Sequence, residues 1–258
     1  MGPPRKRRKL LPLDRLRVRR TKFRPRKFDA LHGMSRFEER TGGVTEKMFA
    51  RAMELIGKPG LSRREAISVP AAKDYLHSLK AYWPDYEDIR RLFPRGLKGK
   101  TVVQLAGSFG PFMLFLQEEE KARAIVVDPD RVAEQVAREF GLKNFVRASA
   151  QNTTLPSSSV DCLHAAYFLD TDYIYVQEGF LRSERDRQKT IQGFENIFRE
   201  AARVLKPGGI FFITSFNPPE GMNYNRFLHS AGFEVVEREP VAGEKHQYQK
   251  LVLRKKRR

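Results

Sequence analysis

The chain reads as an α/β domain: a mostly parallel seven-stranded sheet with helices on both faces and an antiparallel strand pair at its C-terminal end. Three observations carry this. From residue 100 onward, short apolar runs alternate with helical patterns. The first run ends in small residues, Ala106-Gly-Ser-Phe-Gly110, that open a helix, and the second ends in Asp128. The last two strand-like runs have no helix between them, so they pair as a hairpin at one edge.

Each element follows from a local signal. Residues 102–105 are the first strand, apolar enough for burial on both faces. Residues 111–119 are a short helix, with Pro111 at its start, where no N–H is needed. Residues 124–127 form the second strand and 129–140 a helix stopped by Gly141. Strands follow at 144–148 and 160–166. A long amphipathic helix at 187–205 carries Ile191, Phe194, Ile197, Phe198, Ala201, Ala202 and Leu205 at three-to-four spacing. Lys206-Pro-Gly-Gly209 is a tight turn into a fifth strand at 210–214. Residues 223–231 are a helix stopped by Gly232, and 233–237 and 249–254 are the closing strands.

The N-terminal part is organised differently. Residues 1–44 read as a basic arm without order, because Pro3, Pro4, Pro12 and Pro25 break helices and like charges repel. Residues 45–98 read as a helical extension. Thr45 caps a helix to Ile56 with Phe49, Met53 and Ile56 on one face, ended by Gly57 and Pro59-Gly60. One or two further helices span 70–93, interrupted by Pro84. The α/β domain is expected over 99–254, and 255–258 form a basic tail.

Charge is unevenly spread over the 258 residues. Residues 1–27 carry thirteen Lys or Arg against Asp14 alone, a net +12. The last five residues add +5, and the remaining 226 net +1. The high positive charge belongs to the tails. Such an arm binds polyanions by counterion release, so nucleic acid, RNA first, is the expected partner. Nine of the thirteen are Arg, which suits bidentate phosphate contact. No apolar run approaches the roughly 20 residues of a membrane span, and no apolar core follows the N-terminal basic residues as a secretory signal needs. Cys162 is the one cysteine, so neither an internal disulfide nor a Cys-rich metal site can form. A cytoplasmic protein is expected; in a eukaryote Pro4-Arg-Lys-Arg-Arg-Lys9 would serve nuclear import.

Four segments between residues 95 and 254 resemble the class I S-adenosylmethionine-dependent methyltransferases. Val102-Val-Gln-Leu-Ala-Gly-Ser-Phe-Gly110 stands where that family has its glycine-rich first motif, and Val126-Val-Asp128 matches the acid ending the second strand. Residues 148–162 resemble the stretch running through Leu155-Pro156 into the fourth strand. Residues 194–214, with Leu205-Lys-Pro-Gly-Gly209, resemble the helix, turn and fifth strand and are the most specific piece. The resemblance implies S-adenosylmethionine as cofactor. It places Gln104, Ala106, Gly107, Ser108 and Gly110 around the methionine part, Asp128 at the ribose, and Ser149 and Ala150 along the adenine. It also implies methyl transfer, with RNA or an RNA-associated protein as the acceptor that the basic tails suggest.

The chain departs from the family pattern. The acid that usually holds the methionine amino group is replaced by neutral Gln104. Ala106 and Ser108 replace the first two glycines, and no acid stands at Ser149 or Ala150. A second reading of another class therefore stands beside the enzyme: a catalytically inactive protein of this fold that binds nucleic acid through its tails. A nicotinamide dehydrogenase shares the first strand–helix–strand unit, but not the Leu-Lys-Pro-Gly-Gly turn or the closing strand pair. Asn217-Pro-Pro-Glu220 follows the fifth strand, not the fourth, and reads as a connection rather than an amino-methylating loop. Tyr167, Asp170 and Asp172 follow the fourth strand and are candidates to orient a nucleophile, but no catalytic residue is assigned. His164 reads as a hydrogen-bonded core histidine, Cys162 as core, and Glu118-Glu-Glu120 as a solvated helix end. No histidine has metal-ligand spacing.

Overall fold

The computed structural model describes residues 40, 43, 47, 48, 50, 51, 54, 82–166, 168–169, 184–217, 223–240 and 249–257, apart from the side chains of 184–187, 215 and 240. In chain order the elements are α1 (Tyr82–Leu92), β1 (Thr101–Leu105), α2 (Pro111–Glu118), β2 (Arg123–Val127), α3 (Arg131–Glu139), β3 (Phe145–Val146) and β4 (Val160–Ala166). They continue with α4 (Glu184–Val204), β5 (Leu205–Phe216), α5 (Tyr224–Ser230), β6 (Phe233–Pro240) and β7 (Gln249–Lys255). The strands join one seven-stranded sheet in the order β3-β2-β1-β4-β5-β7-β6. β1 to β5 run parallel, and β7 is antiparallel to both β5 and β6. The expected sheet and its closing hairpin are both present, with β7 inserted between β5 and the edge strand β6.

Period-two alternation divides the core. Val103, Leu105, Ile125, Val127 and Leu163 share one face with Phe194, Phe198 and Ala201 of α4. Val102, Ala124, Val126 and Cys162 share the other with Ile89 of α1, Phe112 of α2 and Val136 of α3. Phe198 is the centre of an aromatic group, with ring centroids 5.6 Å from Phe211, 6.0 Å from Phe216 and Phe227, and 6.4 Å from Phe233. That group seats α4 and α5 on β5 and β6. Each such buried ring is worth about 1.5–3 kcal/mol. Cys162 lies in the core as expected, and burial pushes its thiol well up.

Several local expectations change. Pro84 does not interrupt a helix: it lies in the first turn of α1, where its missing N–H is not needed. β3 shortens to two residues at the sheet edge, pairing only Val126 with Phe145 and Val127 with Val146. The Lys206-Pro-Gly-Gly209 turn is a bulge inside β5, for Val160 pairs with Leu205 but Cys162 with Ile210. The turn is built for that place. A Cβ on Gly209 would meet the Lys206 carbonyl at 2.9 Å and the Val160 carbonyl at 3.2 Å, and Lys206 donates to Asp161 at 2.7 Å.

Glu118-Glu-Glu120 is not a solvated run. Arg40 pairs with Glu118 and Glu119, while Arg90, 3.1 Å away, and the Tyr86 hydroxyl both reach Glu120. The helix end thus docks the N-terminal extension. Arg40 and Gly43 are helical, ahead of the expected start at Thr45, and Met48 is fully buried in the core. Phe49, Met53, Ile56, residues 55–81, Tyr167, Asp170, Asp172 and 218–220 lie outside the described residues.

Candidate functional site

The carboxyl ends of β1 and β2 are held together by their turns. The Ala106 N–H donates to the Val127 carbonyl at 2.8 Å. The Ser108 N–H donates to Asp128 Oδ2, and the Asp130 N–H to Asp128 Oδ1, both at 2.9 Å. Asp130 then caps α3 by accepting from Val132 and Ala133. Asp128 is 8% exposed, and burial raises its pKa to about 6. The two backbone donors pull it back down; the neighbouring Asp130 charge pushes it up.

The turn has a regular backbone signature. Ala106, Ser108 and Gly110 all have positive φ, at 50°, 48° and 69°. These are the positions where the resembling family has glycine, so the left-handed conformation persists although two glycines are gone. Each left-handed non-glycine residue costs about 1–2 kcal/mol. Space explains which glycines remain. A Cβ on Gly110 would lie 2.6 Å from Val126 Cγ2. On Gly107 it would meet Gln104 Oε1 at 3.0 Å and Val126 Cγ1 at 3.1 Å. No side chain caps α2 behind this turn. The bulky Phe109 is fully buried in the core cluster that includes Phe112.

Ser149 and Ala150 are placed on the connection from β3 to β4. Ser149 is exposed and bridges Asn152, while Ala150 is buried in the same apolar cluster as Leu105 and Val127. Neither offers a charge.

A polar group on the opposite flank was not foreseen. Gln104 and His164 are register partners on β1 and β4, and both are buried, at 2% and 0% exposure. His164 Nε2 lies 2.8 Å from Asp85 Oδ2, and the Thr214 hydroxyl donates to Asp85 Oδ1 at 2.9 Å. His164 is thus hydrogen-bonded in the core, as its strand position suggested. In the tautomer whose Nε2–H donates to the Asp85 carboxylate, Nδ1 carries the ring's free lone pair. His164 Nδ1 and Gln104 Oε1 are buried and without a hydrogen-bond partner among the described residues. Two polar residues on the same face of a core strand pair were a visible signal. Their partner Asp85, from another element, was not.

These features fit the cofactor that the resemblance implies. An orphaned acceptor at Gln104, a turn held left-handed at Ala106, Ser108 and Gly110, and a buried carboxylate at Asp128 match an amino acid joined to a nucleoside.

No protein-family model matches the chain. Over 165 residues it is 25% identical to the ubiquinone/menaquinone biosynthesis C-methyltransferase UbiE of Edwardsiella ictaluri, covering 60% of this chain and 58% of that protein. The chain therefore spans less than two thirds of that curated relative. It superposes on a chain of the Haloferax volcanii complex between the Trm112 methyltransferase activator and a methyltransferase. The TM-score is 0.53 at 14% identity, over 77% of this chain and all of that one. A Mesorhizobium loti S-adenosylmethionine-dependent methyltransferase matches at TM-score 0.49 and 16% identity, over 67% and 97% of the two chains.

Proposed function

We propose that this chain, which has the class I methyltransferase fold, binds S-adenosylmethionine across β1 and β2 and serves methyl transfer to a nucleophile on RNA. One observation carries the cofactor reading: the left-handed turn at Ala106, Ser108 and Gly110 is clamped to Asp128 by the Ser108 amide. The turn brings backbone N–H groups to the methionine part, and the free Asp128 lone pairs accept from ribose hydroxyls. Ala150 and the apolar ends of β1 and β2 line the adenine side. The bound cofactor supplies an electrophilic methyl group on a sulfonium. The chain's own contribution is to hold and orient it for in-line attack and to exclude water.

Calorimetric titration with S-adenosylmethionine tests this. Saturable binding that Asp128→Ala weakens by about ten-fold or more supports the reading. A folded protein giving no heat at millimolar cofactor sinks it. Neutral Gln104 favours the second reading, an inactive nucleic-acid binder of the same fold; RNA binding without cofactor binding would select it. The RNA acceptor rests on the +12 arm of residues 1–27. Deleting those residues is expected to lower RNA affinity and flatten its salt dependence. An unchanged salt slope would remove RNA from the proposal.

A further inference from the structure

The chain lacks the carboxylate expected at position 104, yet a carboxylate is buried close by. Asp85, on α1, is 2% exposed and, among the described residues, is hydrogen-bonded to two other buried groups, His164 and Thr214. His164 packs between rings, its centroid 5.2 Å from Phe112 and 5.7 Å from Phe212. Its register partner across the parallel β1–β4 pair is Gln104. Register partners on adjacent strands share a sheet face and sit about 5 Å apart. The two residues that carry the orphan atoms, His164 Nδ1 and Gln104 Oε1, are therefore neighbours by fold. A buried acceptor without a donor is costly, and two side by side call for one group with several N–H donors.

We infer that Gln104 and His164 form a two-acceptor seat for an ammonium group, with Asp85 polarising His164 and supplying the negative charge that Gln104 lacks. The inference rests on the cofactor reading above, and the ammonium is that of the cofactor's amino acid. It goes beyond that reading by giving the charge to the N-terminal extension: Asp85 is on α1, ahead of the sheet domain. A carboxylate on a helix does through an imidazole what one on β1 would do directly. Gln104 and His164 are binding residues in this scheme, and Asp85 is a positioning residue.

The test compares two ligands on the full chain by calorimetry. S-adenosylhomocysteine carries the ammonium; 5′-methylthioadenosine keeps the nucleoside and sulfur and lacks the amino acid. Asp85→Asn keeps the shape and one acceptor for His164, reverses the bond to Thr214 so that the amide donates to the hydroxyl oxygen, and removes the charge, so it tests the seat without opening the core. His164→Phe keeps a ring between Phe112 and Phe212 and removes both nitrogens. Each variant is expected to weaken S-adenosylhomocysteine by about ten-fold, the scale of one charge-assisted contact. Methylthioadenosine should stay within about two-fold, which also shows that the variant is folded. Equal loss of both ligands, or no loss of either, overturns the seat; no loss of either means that the orphan atoms hold only water. Should His164→Phe not fold, Asp85→Asn decides alone. A wild-type chain that binds neither ligand overturns the nucleoside pocket itself, a failure distinct from wild-type binding without discrimination by the variants.

Discussion

The backbone N–H of Ser108 donates to Asp128 Oδ2 across 2.9 Å, so the turn after β1 is locked to the acid after β2. The bond links the carboxyl ends of the two strands directly.

Asp128 titrates at about 6, above the ordinary 3.8, chiefly because it is buried. A raised carboxyl pKa means that folding favours the protonated form. Its contribution to stability is full below about pH 4 and is lost as pH rises through 6. The displacement corresponds to about 3 kcal/mol. Ribose hydroxyls donate, so they favour the ionised form, and nucleoside affinity should rise over the same interval. Thermal unfolding of the wild type and Asp128→Asn from pH 4 to 8 isolates this group from other carboxylates. A difference between the two that is flat in pH would refute the assignment.

Gly110→Ala should destabilise by about 3 kcal/mol, part from the left-handed φ and part from overpacking. Ala106 and Ser108 already carry a Cβ at similar φ, so conformation alone is tolerable. The contact with Val126 Cγ2 at 2.6 Å makes Gly110 different. A double-mutant cycle with Val126→Ala should show coupling of about 1–2 kcal/mol by urea denaturation. Additive effects would mean that φ, not space, retains this glycine.

Asp85→Ala leaves the His164 ring and the Thr214 hydroxyl buried without their partner. The expected loss is about 2–4 kcal/mol. Thr214→Val removes one hydrogen bond and should cost about 1 kcal/mol. Equal costs would contradict the central place of Asp85.

Gln104→Glu places a second buried carboxylate where Oε1 has no donor. The free protein should melt at lower temperature, because an unpaired buried charge is expensive. S-adenosylhomocysteine should raise the melting temperature of the variant by more than that of the wild type. A smaller rise in the variant would place the ammonium elsewhere.

Much of this molecule was legible before folding was considered. Apolar runs alternating with helical periods announced the sheet, and the absence of a helix before residue 249 announced the β6–β7 pair. The turn was found at its correct place because small residues at Ala106, Ser108 and Gly110 are read locally. Other features depended on distant chain. Glu118-Glu-Glu120 looked solvated because Arg40, Tyr86 and Arg90 come from an earlier segment. Pro84 looked disruptive because the start of α1, two residues before it, has no strong sequence signal. Lys206-Pro-Gly-Gly209 looked like a tight turn ahead of the strand because a bulge exists only against its partner strand β4.

Local order along the chain was enough to set the periodicities, the turns and the place of Asp128, since those depend on neighbours within a few residues. The burial of Asp128, the pairing of His164 with Asp85 79 positions away, and the meeting of Gln104 with His164 arose only on assembly. Strand register and helix docking bring remote residues to one face, and a group's charge state follows from the water it loses there.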